Sequence, residues 1–123
     1  MILADTSVWV DHLRAGVKDM DRLLGGNQLL IHPHVIGEIA LGHLNPRDVI
    51  LQSLSQLAHA DTATDSEVLE FIERHKLIGG GIGYVEVHLL ASTILTSGAA
   101  LWTRDKRLKS VAQRLGIAAA GLT

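Results

Sequence analysis

Short apolar segments alternate with helix-forming segments along the chain, and this alternation constrains the fold more than any other feature of the sequence. The apolar segments have the length and composition of buried strands. Strands that are separated by helices pair in parallel, and a parallel sheet has to be covered on both faces. The sequence therefore predicts an α/β fold with a central parallel sheet. The predicted strands are residues 1–4, 28–32, 59–60, 99–102 and 117–119.

The helix-forming segments begin and end at recognisable signals. Thr64 and Glu67 have the spacing of a capping box, in which each side chain accepts a hydrogen bond from the other residue's backbone N–H. Ser7, Asn45 and Asp105 are predicted as N-caps of three other helices. Glycines 79, 80, 81 and 83 indicate a flexible loop between two helices. The predicted helices are residues 8–14, 20–24, 33–42, 46–58, 68–77, 84–97 and 106–115.

Composition predicts one globular domain that covers residues 1–123. Hydrophobic residues make up 47% of the chain and charged residues 20%, which excludes a disordered protein. Aromatic residues make up only 3%, too few for a platform on which bases would stack. The net charge of -2 means that a polyanion would have to bind a local basic patch.

The chain contains no cysteine, which excludes disulfides, thiolate zinc sites and a cysteine nucleophile. We find neither the pattern of a signal peptide nor an apolar stretch long enough to span a bilayer. A soluble protein of the reducing cytoplasm is the expectation from these features.

Four carboxylates occupy positions that are unusual for surface residues. Asp5 and Asp105 each follow a predicted strand, and the carboxyl edge of a parallel sheet is where open α/β folds bind ligands. Glu38 and Glu86 lie in helices with no clean polar face, where an unpaired carboxylate would be costly. Four acids at one edge would repel each other unless cations lay between them, and oxygen ligands suit Mg²⁺ or Mn²⁺. The alternatives are capping aspartates and glutamates at the rim or in salt bridges.

Other features support weaker hypotheses. Seven histidines are present, but only His32 and His34 lie close together, and Pro33 between them indicates a helix start. The glycine loop lacks the lysine and hydroxyl residue of a phosphate-binding P-loop. The one concentrated basic segment surrounds Asp105, where Arg104 and Lys106 could hold an RNA phosphate, although a solvated helix face explains it equally well.

Four stretches, ADTSVWVD, VIGEIALG, GIGYVEVHLLAS and LWTRDKRL, resemble in order and spacing the motifs of PIN-domain nucleases. They are most similar to the VapC-type toxins of bacterial toxin–antitoxin pairs, and the resemblance extends over nearly the whole chain. It implies a three-layer α/β/α sandwich with a central parallel sheet and an RNA-cleaving active site built from acids.

The resemblance also implies roles for individual residues. Asp5, Glu38, Glu86 and Asp105 fall on the family's four acidic, metal-binding positions, and Thr6, Ser7 and Thr103 fall on its hydroxyl positions. Glu86 departs from the family pattern, because aspartate is more usual there. The extra methylene moves the carboxylate by about 1.5 Å, which is enough to alter the coordination of a metal.

The resemblance implies an RNA substrate, a cognate antitoxin, and assembly as a homodimer or a toxin–antitoxin hetero-oligomer. Two other function classes remain open. A PIN-fold interaction module could keep the fold with weak or no catalysis. A haloacid-dehalogenase-like phosphohydrolase also begins with an aspartate at a strand end, but it requires a second acid two residues later, where this chain has Ser7.

Overall fold

The computed structural model describes all 123 residues and confirms the predicted parallel sheet. Four strands pair in the order β3-β2-β1-β4, and every pairing is parallel. The strands are β1 (Ile2–Ala4), β2 (Leu29–Ile31), β3 (Ala58–His59) and β4 (Ala100–Trp102). The seven helices are α1 (Thr6–Ala15), α2 (Lys18–Gly25), α3 (Pro33–Ala40), α4 (Arg47–Ser55), α5 (Asp65–Arg74), α6 (Tyr84–Leu95) and α7 (Lys106–Arg114).

Helices cover both faces of the sheet. All three residues of β2 are buried, although successive side chains of a strand point to opposite faces. Helix α6 is the most deeply buried helix, since its residues 87–93 are all buried. Large side chains such as Leu3 and Trp102 are almost fully buried, which contributes about 1.5–3 kcal/mol for each. The α/β/α sandwich expected from the sequence is therefore the observed fold. None of its helices has both the length and the apolar character needed to cross a membrane.

Local signals located most helices, and the clearest of them was the capping box. The Glu67 backbone N–H donates to the Thr64 hydroxyl over 3.1 Å, and the Thr64 N–H donates to the Glu67 carboxylate over 2.9 Å. Two N-cap predictions were wrong. Asp5, not Ser7, caps α1, and Pro46, not Asn45, occupies the N-cap position of α4. The predicted last strand is reduced to a single bridge between Leu101 and Ala118.

His32 connects the end of β2 to two helices through a buried polar network. Its Nδ1 accepts a hydrogen bond from the His34 N–H over 3.0 Å, so that His32 is the N-cap of α3. A neutral imidazole whose Nδ1 accepts carries its proton on Nε2, which lies 3.1 Å from the Ser92 hydroxyl in α6. The same hydroxyl accepts from the Ala63 N–H. His32 therefore acts as a structural residue, and its ring fixes α3 and α6 relative to the sheet.

The neutral state of His32 makes the fold sensitive to acid. Burial, followed by the neighbouring rings of His34 and His88, lowers the pKa of His32 from 6.5 to about 4. The folded protein therefore binds this proton less tightly than the unfolded chain. The contribution to stability is fully present above pH 6.5 and is lost as the pH falls towards 4.

We predict that His32 alone removes about 3 kcal/mol from the free energy of unfolding between pH 6.5 and pH 4. The variant His32→Asn keeps an acceptor for the His34 N–H but cannot titrate, so its stability should depend less steeply on pH. Urea denaturation at several pH values measures the slope, with the exposed His43→Asn as the control. Equal slopes for His32→Asn and the parent protein would contradict this role.

Candidate active site

Asp5 lies at the junction of β1 and α1, and the residue is almost fully buried with 4% exposure. Oδ1 accepts hydrogen bonds from the Ser7 hydroxyl at 2.6 Å and from the Val8 N–H at 3.2 Å. Oδ2 accepts a hydrogen bond at 2.5 Å from the hydroxyl of Thr103, the residue that directly follows β4. Since β1 and β4 are neighbours in the sheet, Asp5 joins the carboxyl ends of two parallel strands.

Burial determines the electrostatics of Asp5. Desolvation raises the pKa of its carboxyl above the ordinary value of 3.8, although the hydrogen bonds from Ser7, Thr103 and Val8 act in the opposite direction. Keeping the Asp5 carboxyl charged therefore lowers the stability of the folded protein. A buried, unpaired carboxylate of this kind is typical of a functional site.

The four predicted acids lie around one cavity of about 230 Å³ at this edge of the sheet. Only one of the lining side chains, Leu89 of α6, is apolar. Leu89 was not among the residues predicted for the site. The cavity is lined by Asp5, Thr6, Ser7, Glu38, Glu86, Leu89 and Asp105.

Each carboxylate of the cavity comes from a different element and has its own surroundings. Glu38 of α3 accepts a hydrogen bond from the Thr6 hydroxyl at 2.5 Å. Asp105 caps α7, and its Oδ1 accepts from the Leu108 N–H at 2.9 Å. No three His, Asp or Glu side chains are arranged closely enough to hold one metal ion. Their oxygen donors nevertheless suit a hard cation such as Mg²⁺ or Mn²⁺.

Glu86 folds back over the glycine that precedes its helix. Gly83 is the N-cap of α6, and a Cβ at this position would lie only 2.5 Å from Oε2 of Glu86. The carboxylate therefore uses space that glycine alone leaves free. It also lies at the positive end of the α6 dipole, which favours its charge. Sequence reasoning identified residue 83 as part of a loop but missed this contact, because it depends on the Glu86 rotamer.

The three predicted hydroxyl residues bind to the acids. Ser7 and Thr103 donate to Asp5, and Thr6 donates to Glu38. The hydroxyl oxygens of Ser7 and Thr103 also accept from the backbone, since the Arg104 N–H donates to Ser7 and the Asp105 N–H donates to Thr103. The hydroxyls thus orient the carboxylates, and direct contact with a substrate stays a prediction.

The two predicted basic residues lie outside the lining of the cavity. Arg104 donates from Nη1 to Asp11 of α1 and from Nε to the carbonyl of Thr123, both at 2.9 Å. The same Arg104 contact is the main reason that the pKa of Asp11 is lowered. Lys106 is exposed in the first turn of α7. The role of both residues in RNA binding stays a prediction.

An all-parallel sheet between helices, with an acid-lined cavity at its carboxyl edge, is the architecture of an α/β sandwich of the PIN type. No protein-family model matches the chain. Ribonuclease VapC32 of Mycobacterium tuberculosis strain CDC 1551 / Oshkosh is 48% identical to it over 120 residues, which are 98% of this chain and 97% of the relative. Ribonuclease VapC32 of strain ATCC 25618 / H37Rv matches with the same identity and coverage. The chain belongs to the VapC family of toxin ribonucleases.

The raised pKa of Asp5 predicts that this residue weakens the fold. The native protein binds the Asp5 proton more tightly than the unfolded chain does, so the protonated carboxyl favours the folded state. This contribution to the free energy of unfolding is fully present below pH 3.8 and is lost as the pH rises through the raised pKa of Asp5 in the folded protein. Asp5→Asn mimics the protonated state and should have a higher free energy of unfolding at pH 7 than the parent protein.

Urea denaturation in EDTA measures this difference, which should shrink as the pH is lowered towards 4. Asp61→Asn, an exposed aspartate outside the cavity, serves as the control and should change little. If Asp5→Asn is less stable than the parent protein at pH 7, burial is not the dominant influence on this carboxylate.

Proposed function

We propose that this chain is a metal-dependent endoribonuclease and the toxin of a toxin–antitoxin pair. The observation that carries the proposal is the cavity shared by Asp5, Glu38, Glu86 and Asp105. Its second support is the 48% identity, over nearly the whole chain, to a protein named Ribonuclease VapC32.

The four carboxylates would hold Mg²⁺ or Mn²⁺ in this proposal. A bound ion would lower the pKa of a water molecule and stabilise charge on the leaving oxygen of the phosphodiester. Hydrogen bonds within the chain orient two of these carboxylates, although no three of the acids are close enough here to hold one ion without a movement of their side chains. Thr103 and Ser7 hold the two oxygens of Asp5, and Thr6 holds Glu38. Residues that orient metal ligands in this way commonly change metal affinity or activity by about 10–100-fold when they are replaced.

The cavity offers no alternative catalytic apparatus. No histidine lines it, and its hydroxyl groups have only the carboxylates themselves as neighbouring bases. Hydrolysis at this site would therefore depend on the acids and on the cation that they bind. An interaction module of the same fold would bind its partner without cleaving RNA, and the activity of the purified protein separates the two functions.

We predict that Asp5→Asn folds but loses Mg²⁺- or Mn²⁺-dependent cleavage of RNA, by about 100-fold or more, because a buried ligand has been neutralised. Cleavage of labelled RNA is measured with Mg²⁺, with Mn²⁺ and with EDTA, and Asp61→Asn is the matched control. Full activity of a well-folded Asp5→Asn protein, or activity that EDTA leaves unchanged, would contradict the metal-dependent mechanism.

Glu86 provides a separate prediction about the departure from the family pattern. If its carboxylate binds the cation, Glu86→Gln should lose most of the activity, whereas Glu86→Asp should retain or increase it. Gln has the same length and the same space beside Gly83, so that only the charge changes. Cleavage by Glu86→Gln at the rate of the parent protein would show that Glu86 is a rim residue.

A groove next to the cavity supports binding of an antitoxin. It has a volume of about 420 Å³ between α1, α3 and α4, and exposed apolar side chains such as Val10 and Leu13 line it. Glu38 lines both the groove and the acid cavity. A partner helix in the groove could therefore reach the acids with a basic side chain, best of all an arginine, which can pair with two carboxylate oxygens. The resulting assembly would be a toxin–antitoxin hetero-oligomer.

We predict that the complex with an antitoxin encoded beside this chain lacks ribonuclease activity. Activity should return when the antitoxin's basic residue at the acids is changed to alanine. Val10→Asp should weaken the complex at least tenfold and leave cleavage intact, because it places an unpaired charge in the groove. Val49→Asp, an exposed apolar residue outside the groove, is the control.

Co-purification, calorimetry and RNA cleavage measure these effects. A stable complex that cleaves RNA at the full rate would refute the insertion of a basic residue. Equal affinities of the Val10→Asp and Val49→Asp variants would refute the groove as the docking site.

A further inference from the structure

The side chain of Arg107, in the first turn of α7, lies directly on the glycine loop that precedes α6. A Cβ at Gly81 would be only 2.5 Å from Nη1 of Arg107 and 3.2 Å from its Cδ and Cζ. Gly81 also has φ +77, in the left-handed region that favours glycine. The backbone conformation thus favours glycine at position 81, and a Cβ there would displace the Arg107 side chain from its present place.

Arg107 occupies a position that does not stabilise its helix. The first turn of α7 contains no acidic residue and begins with Lys106 and Arg107, although the N-terminal end of a helix dipole is positive. No carboxylate forms a salt bridge with Arg107, since the arginines in salt bridges are Arg14, Arg22 and Arg104. Asp105, the N-cap of α7, already compensates the positive end of the dipole, and Arg107 adds nothing to this stabilisation.

The comparison with Arg74 strengthens this point. Arg74 also lacks a salt bridge, but it lies in the last turn of α5, where the negative end of the dipole favours a cation. Arg107 has no such advantage. Its position is therefore not explained by the stability of the helix that carries it.

Arg107 links the two elements that supply Asp105 and Glu86 to the cavity. It follows Asp105 by two residues, and the loop residue that it contacts precedes Gly83, the glycine under the Glu86 carboxylate, by two residues. The exposed guanidinium of Arg107 therefore lies on the loop whose Gly83 supports the Glu86 carboxylate, outside the lining of the cavity itself. The acids of the cavity repel the phosphates of RNA. A basic side chain beside the cavity would offset this repulsion.

We infer that Arg107 binds a phosphate of the RNA backbone beside the acid-lined cavity, with Gly81 as the support on which its guanidinium rests. The planar fork of arginine can donate two parallel hydrogen bonds to phosphate oxygens. The inference deepens the proposed function, and it differs from the expectation for Arg104, whose guanidinium is bound to Asp11 and to the Thr123 carbonyl.

Binding of RNA tests the inference independently of cleavage. The Asp5→Asn background keeps the RNA intact, and fluorescence anisotropy with a labelled single-stranded oligoribonucleotide of mixed sequence measures the affinity at several salt concentrations. Arg107→Gln should weaken binding about fivefold near 0.1 M salt and should lower the slope of log K against log salt by about 0.7, the loss of one phosphate contact. Arg107→Lys should restore the slope, because it keeps the charge.

Two matched controls separate a phosphate contact from a general effect. Arg74→Gln removes an equal charge from the last turn of α5, outside the lining of the cavity, and should leave the affinity nearly unchanged. Gly81→Ala displaces the guanidinium and should weaken binding. Gly79→Ala introduces similar backbone strain at φ +73, but nothing lies within 4 Å of its Cβ, so it should not weaken binding.

The outcomes also distinguish this inference from the proposed function. Equal affinities and slopes for Arg107→Gln and Arg74→Gln overturn the inference, as does an Asp5→Asn protein that fails to bind the oligonucleotide. If the parent protein cleaves RNA while Arg107→Gln binds normally, only the inference fails. If RNA binding depends on Arg107 while the parent protein does not cleave RNA, only the catalytic proposal fails.

Discussion

The buried carboxylate of Asp5 is the constraint on which the rest of the structure depends. It caps α1 and accepts a hydrogen bond from Thr103, so that it fixes the first strand, the first helix and the end of β4 in one place. Each hydrogen bond to a charged group contributes about 1.5–3 kcal/mol. Desolvation nevertheless raises the pKa of Asp5, which means that burial outweighs these bonds. The fold thus keeps the Asp5 carboxylate at the carboxyl edge of the sheet even though burial disfavours its charged form.

The same electrostatics explains how the other acids are distributed. Two carboxylates about 4 Å apart repel each other by about 4 kcal/mol near a protein surface, more than one charged hydrogen bond contributes. Each acid of the cavity accordingly lies beside its own favourable group. Glu38 binds the Thr6 hydroxyl, Asp105 caps α7, and Glu86 lies at the positive end of α6. The four residues share a cavity without forming a tight cluster.

Local sequence signals were sufficient for most of the fold and for the location of the acids. The capping box at Thr64 and the strand before Asp5 depend on neighbouring residues, and both were predicted. Contacts between residues that are distant in the sequence could not be predicted from it. The Ser7 hydroxyl does not cap α1 because it donates to Asp5, and Arg104 reaches Asp11 across 93 positions of sequence. The contact of Glu86 with Gly83 likewise depends on a side-chain rotamer that no pattern encodes.

The cavity has two different approaches, and this asymmetry relates inhibition to catalysis. On the side of α1, α3 and α4, Glu38 connects the acids to an apolar groove suited to a protein helix. On the side of α6 and α7, Arg107 lies on Gly81, where we infer that a backbone phosphate binds. A partner in the groove therefore need not compete with RNA for Arg107. It has only to reach Glu38 and Asp5 with a positive charge, since a cation held there would occupy the same carboxylates that the proposed mechanism uses.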